Sequence, residues 1–377
     1  MSGRGRICLT LVGDITRDSR CSRFAASLAR DHDVDVIALG SSDKNFTHES
    51  AQVSQRAHRE AHSLRASLWD FWSEGLERAV ATGAGLFLAS DLYSLPVAAE
   101  AAKRRGAALM YDSRELYPAI ASLRRNPLTR AYWRWIERRH ASDAACISTV
   151  NESIASILRK RYSGTRVEVL PNVPRAWSGS STERLRQALA IPRDSLILLS
   201  QGGLQSGRGA ELYIDCLPEL PGCFLVFLGD GPLVHALTER ATALGVPDRV
   251  AFLPAVPTSE LLEWTSSADI GLCMIEKLGL SYYLSLPNKL FEYMMAAVPV
   301  IGSDFPEIER VVHGNGIGIT VDPENRAAFI RAVRTMSSDR VLRETCAAAA
   351  RQARVHYTWE TQALRLERIV ADLLRER

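Results

Sequence analysis

Residues 195–212 read SLILLSQGGLQSGRGAEL. An apolar run of strand length ends at Ser200, a loop with four glycines follows, and AELYIDCLPEL (210–220) carries on with the spacing of an amphipathic helix. Strand, glycine turn and helix in that order form half of a βαβ unit. A strand that is apolar throughout is one covered on both faces of a parallel sheet. The same alternation runs outward in both directions. Ahead of it lie RICLTLVG (6–13), VDVIALG (34–40), GLFLAS (85–90), AALMYD (107–112), AACISTV (144–150) and RVEVLPN (166–172). After it come CFLVFLGDG (223–231), RVAFLP (249–254), ADIGLCMI (268–275), VPVIGSD (298–304) and GIGITVD (316–322). Helical patterns such as SRFAASLAR, LVHALTERATAL and SELLEWTSSA separate them.

Two sets of strands in succession predict an α/β protein of two doubly wound, Rossmann-like domains, with ligands held in a cleft between the carboxyl ends of their strands. The expected domains are 1–178 and 179–358, with a break in the polar, small-residue stretch AWSGSSTERL (176–185) and a final helix, about 359–377, packing back on the first domain. Residues 41–80, with SLWDFWSE, read as strand-free: a helical crossover or an insertion.

With 377 residues, 46% hydrophobic and 24% charged, the chain has the balance of a soluble globular protein with material for two cores. Its apolar runs fall far short of the ~20 residues of a membrane span, and MSGRGRICLTLVGD does not read as a signal peptide. Seven scattered cysteines without a CxxC pair predict reduced thiols in a cytoplasmic protein. The net charge of +3 is uneven: residues 1–180 hold 26 Lys/Arg against 19 Asp/Glu, and 181–377 hold 20 against 24. An anionic partner for the first half and a merely solvated basic surface are equally compatible with this.

Chemistry concentrates in two stretches. In SLPNKLFEY (285–293), Ser285 is the expected N-cap, with Leu286 and Pro287 in the first turn, where a missing N–H costs nothing. First-turn amides and the helix dipole then favour an anion, Lys289 adds a full charge, and Glu292 shares a face with Asn288 and Lys289. A carboxylate one turn below a phosphate site suits a vicinal diol such as a ribose. In QGGLQSGRG, Gly202, Gly203, Gly207 and Gly209 allow close backbone approach, and Arg208 offers a forked partner for phosphate oxygens. The spacing is neither G-x-G-x-x-G nor a Walker loop, which disfavours NAD binding and ATP hydrolysis.

These stretches, with VFLGDGP, LGVPDRVAFLPAVP, ELLEWTSSADIGL, SLPNKLFEYMMAAVPVIGSD and HYTWE, occur in the order found in the retaining family 4 glycosyltransferases of GT-B fold, which residues 195–360 strongly resemble. The first half resembles them more loosely, through GDITRDSRCSRFAASLA, YDSRELYP and VEVLPNVP. The resemblance implies a nucleotide-diphosphate-sugar donor on the second domain and no metal or other cofactor. Arg208 and Lys289 would neutralise the leaving diphosphate and Glu292 would hold the ribose. Gly13, Gly202, Gly203, Gly229, Val256 and Ser285 to Asn288 would complete the donor site. Arg114 stands where many members carry a histidine near the sugar. Leu284 replaces the first of two glutamates common in the family, and Gly203 replaces a common arginine. Asp14, Asp18, Arg20, Glu115 and Asn151 are acceptor-side candidates, with Asp14, Asp18 and Glu115 equally readable as helix caps or partners of arginines. Base, sugar, acceptor and oligomeric state have no residue signature. The rival functions are a same-fold epimerase or coupling enzyme, and a non-catalytic nucleotide-sugar-binding protein.

Other constellations are weaker. DHDVD (31–35) stands at the amino end of a strand, the wrong end for a ligand site. His58 and His62 in HREAH have metal-compatible spacing and no third ligand. SLRRNPLTRAYWRWIERRH (122–140) mixes six arginines with Tyr132, Trp133 and Trp135. It is a candidate for peripheral contact with a membrane's inner face or with a phosphorylated acceptor, although aromatics packed inward beneath solvated arginines are favoured. No nucleic-acid reader motif is present.

Overall fold

The computed structural model describes residues 4–40, 44–57, 64–120 and 126–375. The chain forms two compact units, Met1–Asn172 with Glu360–Arg377, and Val173–Trp359.

In the first unit the order is β1 (Arg6–Val12), α1 (Ser19–Leu28), β2 (Asp33–Gly40), β3 (Lys44–His48), β4 (Ala51–Ala57), α2 (Leu64–Ala81), β5 (Leu86–Ala89), α3 (Leu95–Arg105), β6 (Ala108–Ser113), α4 (Pro127–Ala141), β7 (Cys146–Thr149), α5 (Glu152–Arg161) and β8 (Arg166–Val169). Its sheet runs β3-β4-β2-β1-β5-β6-β7-β8, parallel except for β3 against β4. Helix starts follow local chemistry: Asp18, Asn126 and Asn151 accept amides of the first turns of α1, α4 and α5.

The second unit contains α6 (Arg184–Ala188), β9 (Leu196–Gln201), α7 (Ala210–Cys216), β10 (Cys223–Leu228), α8 (Val234–Ala243), β11 (Val250–Leu253), α9 (Leu261–Thr265), β12 (Ile270–Cys273), α10 (Leu280–Tyr283), α11 (Asn288–Met295), β13 (Val300–Ser303), α12 (Pro306–Asn315), β14 (Gly318–Val321), α13 (Arg326–Ser338) and α14 (Arg340–Ala353). The all-parallel sheet runs β11-β10-β9-β12-β13-β14, so strand order reverses between β9 and β12. Outside the carboxyl ends of those two strands is the crevice where open α/β sheets hold ligands. One core, built on Leu198, Tyr213, Leu225 and Phe329, covers one face; another, on Leu199, Val226, Phe291 and Ile308, covers the other. The last helix, α15 (Trp359–Arg375), belongs to the first unit, where Asp372 pairs with Arg166 at 3.2 Å.

Two expectations change. Residues 41–80 are not strand-free: β3 and β4 form a hairpin extending the first sheet before α2 begins. Its strands, KNFTH and AQVSQRA, are mostly polar, and its turn places Glu49 and Ser50 at positive φ without the usual Asn-Gly. Neither pattern nor turn residues signal the hairpin. The division of the chain also precedes 176–185, because Val173 joins the second core and the Thr182 hydroxyl bonds Glu263 O at 2.7 Å. All seven cysteines are buried and unpaired. The histidine pair 58/62 lies outside the described residues.

Candidate functional site

The strongest charge anomaly lies at the β9/β12 reversal. Two loops leave it, residues 202–209 after β9 and 274–287 after β12, and the Glu276 amide donates to Gly207 O at 3.0 Å to tie them together. Gly209 sits at φ 76, and a Cβ there would lie 2.8 Å from the Met274 carbonyl. Gly229, after β10, is tighter, since a Cβ would come within 2.2 Å of Gly202 O. Glycine at these points lets the loops close on one another. Gly203 is different: nothing lies within 4 Å of a Cβ there.

Helix α11 starts later than expected. Pro287 is its N-cap, extended at ψ 140, and no side chain caps it. The proline keeps Leu286 out of helical geometry, so the first turn opens with Asn288 and Lys289. Ser285 is therefore not the cap; its hydroxyl donates to Tyr282 O at 2.7 Å and closes α10. Lys289 is 6% exposed, and no hydrogen bond or ion pair of its ammonium is found among the described residues. Burial, reinforced by the Arg208 charge, pushes that ammonium down to about 8. Below it, burial pushes the Cys273 thiol up to about 11, with Lys289 and Arg208 acting to lower it and Glu292 to raise it. The charges of residues 208, 289 and 292 thus all act on one buried thiol. The Arg208 guanidinium likewise has no carboxylate within 4.0 Å among the described residues; with its amide turned oxygen-first, Gln205 accepts from Nη2 at 3.1 Å.

Glu292 is held from the strand side. Gln201 Nε2 donates to Glu292 Oε2 at 2.5 Å, and Gln201 Oε1 accepts from the Thr265 hydroxyl at 2.9 Å. The Gln201 amide reaches Tyr293 Oη at 3.2 Å, and that phenol donates to Leu199 O at 2.9 Å. Gly271 leaves room for it, since a Cβ would fall 2.5 Å from the Tyr293 ring. Gln201, Thr265 and Tyr293 escaped the sequence reading. The available signal for Gln201 was a glutamine closing an apolar strand directly before the glycine loop. Asn288 is partly buried in the first turn of α11, and Val256 packs at the edge of the second core in the loop after β11.

The first-unit candidates gather at strand ends, but most are already engaged. Arg20 is 2% exposed. It makes a bidentate pair with Asp112 at 2.7 Å for both bonds and donates to Leu170 O at 2.7 Å. Asn151, also 2% exposed, caps α5. Both side chains are thus engaged inside the first unit, as ion-pair partner and helix cap. Asp18 caps α1 and accepts from Arg114 Nη1 at 2.5 Å. Burial would raise its carboxyl, but Arg114 and the Cys21 amide hold it below the usual range. Arg114 Nε donates to Ser90 O at 2.6 Å. Gly13, at φ 154, donates its amide to Leu39 O at 2.8 Å. Asp14 accepts from the Thr16 hydroxyl at 2.7 Å, and Glu115 is exposed.

Helix α4 divides its aromatics. Trp133 is buried at 6.3 Å from Trp72, edge to face, and Glu137 is buried against Arg161 at 2.6 Å. Leu128, Tyr132 and Trp135, at i, i+4 and i+7, are 82%, 44% and 59% exposed.

Comparison with known proteins finds matches for both halves of the chain. Residues 181–353 match the family described as glycosyl transferases group 1, and residues 19–173 match the glycosyl transferase 4-like domain. The chain belongs to the group 1, family 4-like glycosyltransferases. It is 27% identical over 252 residues to a D-inositol 3-phosphate glycosyltransferase of Xylanimonas cellulosilytica, covering 63% of this chain and 58% of that one. The chain spans about half the length of the curated relatives it matches. Among solved structures, a sucrose-phosphate synthase of Thermosynechococcus elongatus superposes with TM-score 0.84 at 17% identity, over 99% of this chain and 100% of that one. Anabaena HepE in complex with UDP and glucose superposes with TM-score 0.76 at 17% identity, over 98% and 100%. Both share the GT-B fold of this glycosyltransferase.

Proposed function

We propose that this chain transfers a sugar, with retention and without a metal, from a nucleotide-diphosphate donor to a hydroxyl or amine of a small-molecule, lipid-linked or glycan acceptor. One observation carries the reading: among the described residues, a buried lysine whose ammonium has no carboxylate partner, beside a half-buried arginine that also lacks one, at the strand-order reversal of the donor-type unit. Leaving a buried charge uncompensated is costly, and a diphosphate is the partner that relieves it. UDP in the related HepE fits this chemistry. Arg208 and Lys289 stabilise charge as it develops on the leaving diphosphate, the task a metal performs elsewhere. Glu292 accepts from the ribose. The bond from the anomeric carbon to the diphosphate breaks while the acceptor oxygen bonds to the same face. The acceptor's proton passes to a diphosphate oxygen.

A thermal-shift screen of UDP, GDP and ADP with their sugars tests the donor assignment, since a ligand stabilises the folded state by mass action. Product analysis with and without EDTA then tests transfer and metal independence. Binding with no turnover against any acceptor would favour a nucleotide-sugar-binding protein, and an isomerised sugar nucleotide would favour an epimerase.

The exposed stripe of α4 supports a second reading, concerning where acceptors are met. Leu128, Tyr132 and Trp135 are flanked by exposed Arg130, Arg134, Arg138 and Arg139, and the helix's acidic residue, Glu137, faces inward. Each arginine near an anionic lipid surface contributes about 1 kcal/mol. Co-sedimentation with phosphatidylglycerol vesicles, lost in high salt and in Trp135→Ser, is the expected result.

A further inference from the structure

We propose that Gln201 is a positioning residue for nucleotide recognition: its side-chain amide fixes the Glu292 carboxylate in the orientation that receives a ribose diol. The inference rests on the reading of Glu292 as the ribose acceptor.

The geometry is specific. Gln201 is 2% exposed and is the last residue of β9, at the carboxyl end beside the strand reversal. Its amide spans two elements, donating to Glu292 Oε2 of α11 at 2.5 Å and accepting from Thr265 of α9 at 2.9 Å. The Thr265 hydroxyl also lies 2.7 Å from Leu261 O, so the glutamine's oxygen end meets a group anchored to its own helix. The backbone of the same residue is clamped to Tyr293 Oη at 3.2 Å. Residues 292 and 293 of one helix thus grip the side chain and the backbone of one strand residue. The Glu292 carboxylate lies in the field of the Lys289 ammonium, and a neutral amide bonded to one of its oxygens opposes rotation toward that cation while adding no charge. A carboxylate has lone pairs for about four hydrogen bonds, so accepting from Gln201 is compatible with accepting from a diol as well. The short bond is of the charge-assisted kind, the strongest available to a neutral donor.

Isothermal titration with UDP and GDP, and with their 2′,3′-dideoxy forms, tests this. Wild-type protein is expected to bind the ribose form ~10- to 100-fold more tightly, the difference that hydrogen bonds to a charged group supply. In Gln201→Met, which keeps the volume and loses the amide, the ribose preference should fall to a few-fold, while affinity for the dideoxy form stays unchanged. In Gln201→Glu two carboxylates share the contact. The preference should then return as pH falls and one proton bridges them, a response that a purely structural role would not produce. A wild-type protein that binds neither ribose form, or binds ribose and dideoxy forms equally, removes the Glu292 reading and this inference with it. A clear wild-type preference that survives intact in Gln201→Met overturns the inference alone. Equal loss of both ligand forms in Gln201→Met also overturns it, because that would mean a general disturbance of the loop.

Discussion

The two units treat buried charge in opposite ways. In the first, Arg20 and Asp112 satisfy one another with two hydrogen bonds of 2.7 Å, the Ser148 hydroxyl adds a third to Asp112 at 2.6 Å, and Arg114 closes on Asp18. In the second, Lys289 and Arg208 lie close enough to lower the lysine's proton affinity, and neither has a carboxylate partner among the described residues. A charge cluster whose bonds are all made inside the protein holds strand ends together. In the function proposed above, one left with excess positive charge is prepared for an anion that the chain does not supply. On that proposal the difference separates architecture from binding machinery among residues that look alike in sequence.

That contrast can be broken by mutation. The largest effect is expected from Arg20→Ala, which strands the buried Asp112 carboxylate and should lower first-unit stability by about 3–5 kcal/mol, read by calorimetry. In the second unit the sign inverts. Lys289→Met removes an uncompensated buried charge and should stabilise the ligand-free protein at neutral pH, by on the order of 3 kcal/mol given the fall from 10.5 to about 8. Lys289→Met and Arg208→Ala should each abolish the thermal shift produced by a nucleoside diphosphate. Unchanged nucleotide binding in both variants would remove the phosphate assignment.

A pH titration sharpens the comparison without mutation. Between about 8 and 10.5 the unfolded lysine binds a proton that the folded one does not, so ligand-free stability should rise with pH through that window. Nucleotide affinity should move the opposite way, falling as pH rises through about 8 and the ammonium is lost. The smallest expected effect is on α4: Trp135→Ser should change stability by no more than about 0.5 kcal/mol, as exposed substitutions do, while reducing binding to anionic vesicles.

Both sheets were legible because continuously apolar strands separated by amphipathic helices leave few alternative folds; the cation at 208 stood out in its glycine loop and the one at 289 in the helix start SLPNKLFEY. The hairpin β3–β4 was not, since a polar edge strand with Glu49-Ser50 at its turn carries neither pattern nor turn signal. Nor was the start of α11, where a proline that suits a first turn stands instead at the cap.

By itself, then, the sequence determined the two layered α/β units and the charged groups and glycines carried by the stretches at 202–209 and 285–293. Tertiary structure alone decided which of those groups are spent. Arginine at 20 and arginine at 208 are chemically identical; the first is buried against Asp112, whereas the second is half-buried with no carboxylate within 4.0 Å among the described residues. It also brought Gln201 against Glu292, 91 residues apart in the chain, because hydrogen bonding depends on positions in space and carries no signature in local sequence.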